Sequence, residues 1–111
     1  MLDRSFQFSL RIIKLYNQLI AENEYIISKQ LLHSATSIGA NVHEASAAYG
    51  KKEFAHKMSI ASKEARETQY WLKILDQGHL VELDLSEFMD EIQSIINITT
   101  AIVKTTLKSQ G

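Results

Sequence analysis

The chain has 111 residues and a mass of 12.6 kDa, the length of one domain, and can bury roughly two thirds of the surface its unfolded form exposes. It contains no cysteine, which excludes disulfides, thiol nucleophiles and cysteine-based zinc sites. With 45% hydrophobic and 23% charged residues and a net charge of -1 it is neither disordered nor strongly basic, and the absence of proline favours long helices over turn-rich sheets.

The first segment, Met1 to Glu22, is rich in apolar residues, but Asp3, Arg4, Gln7, Arg11, Lys14 and Gln18 interrupt it at helical spacing, unlike a signal peptide. Nothing in the chain approaches the ~20 apolar residues of a membrane span, so a cytoplasmic protein without a membrane partner is expected. Projected as a helix, this segment carries one apolar row of Phe8, Ile12, Leu15 and Leu19 and a second of Leu2, Phe6, Ile13, Tyr16 and Ile20. Together they span roughly 220° of arc, about twice what one core-facing stripe needs. A lone bundle would leave part of that surface in water, which predicts self-association.

A break from Glu22 to Ile27 precedes a second helix over Lys29 to Ala48, with Ser28 as its expected N-cap. Half of that helix is Ala, Ser, Thr or Gly, and Ala35, Gly39 and Ser46 lie near one line beside Leu31, Ile38 and Val42. Small residues let a neighbouring backbone approach closely, either within one bundle or across a subunit boundary. Tyr49 to Lys51 forms the next break, where Gly50 can end the second helix and Glu53 can cap the third.

The third helix has a core row of Phe54, Met58, Ala61, Ala65, Thr68, Leu72 and Leu75. Beside it runs Ile60, Glu64, Glu67, Trp71 and Ile74, an apolar stripe interrupted by two carboxylates. Gly78 is placed as a helix stop, Gly78 to Leu83 as a loop, and Asp84 with Glu87 as the start of the fourth helix. The fourth helix has one broad face of Phe88, Ile92, Ile95, Ile96, Ile102, Val103 and Leu107. Three short connections favour an all-α, antiparallel up-down-up-down four-helix bundle over residues 1–111.

Ser34-Ala35-Thr36-Ser37-Ile38-Gly39-Ala40-Asn41-Val42-His43-Glu44-Ala45, followed by Lys52-Glu53-Phe54 and Lys63-Glu64-Ala65-Arg66-Glu67-Thr68-Gln69-Tyr70-Trp71-Leu72, resembles the four helix bundle protein family. Its founding members are encoded in intervening sequences of 23S ribosomal RNA genes. The resemblance implies an antiparallel subunit joined into a ring-shaped homopentamer, without enzymatic activity. It is also distantly similar to the basic, nucleic-acid-binding accessory variability protein of diversity-generating retroelements. Glu44-Ala45 stands where the family usually has Glu-Gly, which suggests that the second helix runs on toward Ala48.

Asn41, Glu44, Glu64 and Glu67 correspond to recurrent polar positions of that family, and with Trp71 they form the candidate structural or interface polar network. A buried carboxylate requires donors, for which Ser37, Asn41, Tyr70, Arg11 and Arg66 are candidates, in the same subunit or a neighbour. Ligand or nucleic-acid recognition, and catalysis or metal binding, are the rival uses of such a cluster.

Chemistry beyond packing has thin support. Glu53-Phe54-Ala55-His56 is a single Glu-x-x-His pair where a dinuclear metal bundle needs two, so neither metal nor cofactor is expected and no catalytic residue is assigned. A small metal-binding or catalytic helical bundle is the alternative, and no small-molecule substrate is indicated. Residues 51–78 carry six Lys or Arg against four Asp or Glu, whereas residues 79–111 carry two against five. Lys51, Lys52, Lys57 and Lys63 are therefore candidate phosphate contacts for weak RNA or DNA binding, unless they line an ordinary solvated face with Glu53 and Lys57 paired one turn apart.

Overall fold

The computed structural model describes residues 1–110, with the side chain of Gln110 left aside. Among these residues the fold is all-α, with helices α1 (Leu2–Ala21), α2 (Ile27–Ser46), α3 (Lys51–Gln77) and α4 (Ser86–Gln110) and no strand. The molecule is rod-like, 49 × 21 × 20 Å, and its core runs along the rod axis.

The predicted inner rows supply that core. Phe8, Ile12, Leu15 and Leu19 of α1 meet Leu31, Ile38 and Val42 of α2, Met58, Ala61, Ala65, Leu72 and Leu75 of α3, and Ile92, Ile95 and Ile96 of α4. Phe54, Phe88, Ile102 and Val103 are half-buried around it. Leu107, assigned to the core face of the fourth helix, is instead 53% exposed near the end of the rod.

Contacts between neighbouring helices run in opposite numerical order. Ser34 meets Thr68 while Glu44 meets Lys57, Gln69 meets Gln93 while Ser62 meets Thr100, and Arg4 meets Glu91 and Ser94 while Arg11 lies over the Phe88 ring. Gly39 of α2 lies against Ser5 and Ser9 of α1, so the small-residue line serves a close crossing within the chain. Ser46, the last residue on that line, is exposed.

Helix ends depart from the sequence expectations in instructive ways. α2 begins at Ile27, two residues before Lys29, because Glu24 caps it: its carboxylate accepts from the backbone N–H groups of Ile26, Ile27 and Ser28 at 3.2, 2.9 and 2.6 Å. Ser28 is consequently inside the helix, buried, and donates its hydroxyl to the Glu24 carbonyl. α2 stops at Ser46 rather than Ala48, and Gly50 starts α3 as an extended N-cap instead of ending α2. Glu53 does reach back, accepting from the Tyr49 N–H at 3.0 Å.

Gly78 ends α3 with right-handed φ and ψ, and the left-handed residue is His79, at φ 51°. The Leu80 N–H donates to the Leu75 carbonyl and His79 N–H to Asp76, a Schellman closure without glycine in its usual place. Asn23, at φ 63°, closes α1 in the same way through Asn23 to Ile20 and Glu24 to Leu19. Asp84 precedes α4 by two residues, and the hydrogen bonds it accepts from Ser86 hold its carboxyl below the usual range.

Candidate subunit interface

The inner row of α1 is sealed, but the outer row is not. Leu2, Phe6, Leu10 and Ile13 remain 43, 50, 41 and 42% exposed, while Tyr16 and Ile20 are half-buried. Leu2, Phe6 and Leu10 follow at i, i+4 and i+8, and Ile13 continues the stripe one turn on, so four large apolar side chains lie along one face. Scattered apolar residues are normal on a protein surface, whereas a row of them along one helix face is a feature that packing within this subunit does not account for.

A second stripe lies on α3. Ile60, Glu64, Trp71 and Ile74 are half-buried and Glu67 is exposed. The Trp71 indole N–H donates to Glu67 Oε1 at 3.3 Å, and the Trp71 ring meets Tyr70 edge to face with centroids 5.0 Å apart. Glu64 Oε2 is shielded from solvent and is the one buried side-chain polar atom without a hydrogen-bond partner among the described residues. Desolvation, reinforced by the Glu67 carboxylate and opposed by His33, raises the Glu64 carboxyl above its ordinary range.

Of the five residues proposed as a polar network, only Glu67 and Trp71 are bonded to each other. Asn41 donates to the Ser37 carbonyl within α2, and Glu44 forms an ion pair with Lys57 at 3.1 Å. The candidate donors are also engaged elsewhere: Ser37 donates to the His33 carbonyl, Arg66 to Thr100, and Arg11 stacks on Phe88. The sequence missed the Arg4 site, where Nε is 3.2 Å from Glu91 Oε1 and Nη2 donates to Ser94 at 2.7 Å. In the sequence Arg4 is only a polar break in an apolar segment, and no local spacing ties residue 4 to residue 91.

The candidate phosphate contacts are spread along α3. Lys51 and Lys52 are exposed at its first turn, with Lys51 Nζ 3.5 Å from the Ser109 carbonyl oxygen, and Lys63 is exposed about 18 Å farther along the axis at 1.5 Å per residue. Lys57 is neutralised by Glu44 rather than by Glu53. Glu53 and His56 line an open recess of about 570 Å³ with Tyr49, Gly50 and Lys52. Among the described residues no three His, Asp or Glu side chains come together as metal ligands, and no helix is long and apolar enough to cross a membrane.

Residues 1–101 match the family model of the 23S rRNA-intervening sequence protein. A crystal structure at 1.70 Å of a protein of unknown function from the S23 ribosomal protein family of Bacteroides thetaiotaomicron is similar, with 39% sequence identity and a TM-score of 0.70. The similarity covers 96% of this chain and 94% of that one. No curated protein matches the sequence.

Proposed function

Because the chain belongs to the 23S rRNA-intervening sequence protein family, we propose that it is a non-enzymatic subunit that associates with copies of itself and acts in the cytoplasm as a scaffold or binding module. In this reading the helices run up-down-up-down, which the opposed order of the interhelical contacts supports. The assembly is a ring-like homo-oligomer, and its count of five subunits rests on the family resemblance alone. The observation that carries the reading is the outer face of α1. Its four exposed large apolar residues contribute nothing to a core already closed by Phe8, Ile12, Leu15 and Leu19.

Phe6→Glu tests this directly. Because Phe6 lies outside the core, the variant should keep its helix content by circular dichroism while light scattering reports a fall from a multimer to one subunit. A wild-type protein already at the mass of one subunit would overturn the proposal.

Weak RNA or DNA binding is the second reading, favoured by the exposure of Lys51, Lys52 and Lys63 on one helix. A ring would repeat that mild patch, yet the subunit's net charge of -1 accumulates with it and repels phosphate at long range. Binding should therefore be independent of sequence and vanish by ~200 mM salt, as expected where counterion release supplies the affinity.

A further inference from the structure

We infer that the subunits join through two different faces: the outer stripe of α1 on one copy packs on the Ile60, Glu64, Trp71 and Ile74 stripe of α3 on the next, with Lys14 of the first copy meeting the Glu64 carboxylate of the second. This rests on the self-association proposed above and adds the identity of the faces.

Their chemistry selects this pairing. Two α3 stripes set against each other would bring Glu64 and Glu67 of one copy onto the same carboxylates of its partner, and like charges repel most where water has been excluded. Two α1 stripes would cover Leu2, Phe6, Leu10 and Ile13 but leave the half-buried Ile60, Trp71 and Ile74 in water and Glu64 without a donor. Pairing unlike stripes covers both and brings a cation to the carboxylate. Lys14 stands one helical turn beyond Leu10, is exposed, and makes no ion pair among the described residues. Within the subunit Ser37 and Asn41 donate to carbonyls of α2 and Trp71 to Glu67, and His33, whose charge acts on Glu64, makes no hydrogen bond to the buried Oε2. An interface between unlike faces propagates from copy to copy and closes into a ring when the rotation permits.

Complementation between broken faces tests the pairing. Phe6→Glu damages only the α1 face and Glu64→Lys only the α3 face, so each variant alone should be a folded single subunit. An equimolar mixture should form a dimer of one chain of each kind that grows no further, because the two intact faces meet once and the two damaged ones remain outside. Light scattering should then report a doubling of mass on mixing, with both chains in one peak by mass spectrometry. Ile13→Glu and Ile60→Glu provide a second pair should either first variant lose its helical circular dichroism. A mixture that stays at the mass of one subunit, or either folded variant forming a dimer with itself, would overturn the assignment of faces. A monomeric wild type would instead overturn self-association itself.

Discussion

Thr68 Oγ1 lies 2.9 Å from Ser34 Oγ, joining α3 to α2 through two side chains that are both fully buried. Each hydroxyl also lies within reach of a carbonyl of its own helix, Thr68 of Glu64 at 2.8 Å and Ser34 of Leu31 at 3.3 Å. Neither group is stranded when its partner is lost. Thr68→Val keeps the branched shape and removes the hydroxyl, so it should cost only about 1 kcal/mol in denaturant unfolding. Combining it with Ser34→Ala should cost less than the sum of the two single changes, since the same contact is removed twice.

Gly39 predicts opposite outcomes for two substitutions. A Cβ there would sit 3.4 Å from Ser9 Oγ and 3.5 Å from the Ser5 carbonyl oxygen, which is ordinary contact. Gly39→Ala should therefore be tolerated and recover part of the ~1 kcal/mol of helix propensity that glycine forfeits. Gly39→Leu must push α1 away and should lose about 1 to 3 kcal/mol or more. Thermal unfolding of the two variants should bracket the wild type.

The cap of α2 gives a sharper result than its neighbour Ser28. Glu24→Ala removes the acceptor for three backbone N–H groups and should destabilise by about 1 to 2 kcal/mol. Glu24→Gln, which keeps one oxygen acceptor, should lose less. Equal stability of both variants and the wild type would show that water serves the helix end equally well.

Much of this structure is legible in the sequence, and the misses share a cause. The inner rows of all four helices follow from 3.6-residue periodicity, which reads burial directly. The outer row of α1 is legible too, because its excess apolar arc has no place in one bundle. Helix ends are harder: a glutamate three residues before Ile27 acts as the cap usually supplied by serine, and His79 takes the left-handed turn expected of Gly78. Contacts such as Arg4 with Glu91 depend on how distant helices align, and composition alone cannot separate Glu64, half-buried, from Glu67, exposed.

Glu64 also sets a pH dependence. A carboxyl raised in the folded subunit binds its proton more tightly there than in the unfolded chain, so its charge destabilises the subunit once the pH has risen through the raised value. The penalty fades as the pH falls through the raised value and is gone below the unfolded value, near 4.5. In a Phe6→Glu background, which isolates the subunit, adding Glu64→Gln should raise the melting temperature at pH 7 and lose that advantage as the medium is acidified. Parallel melting curves for the two proteins across this interval would contradict the assignment.

Sedimentation velocity of the wild-type protein across a hundredfold concentration range centred on micromolar tests self-association most directly. The exposed stripe of α1 predicts a species heavier than one 12.6 kDa subunit that loses mass only at the lowest concentrations, and the family resemblance sets that mass near five subunits. A dimer or tetramer would keep the association and reject the count of five, whereas a single 12.6 kDa species at every concentration would contradict the account.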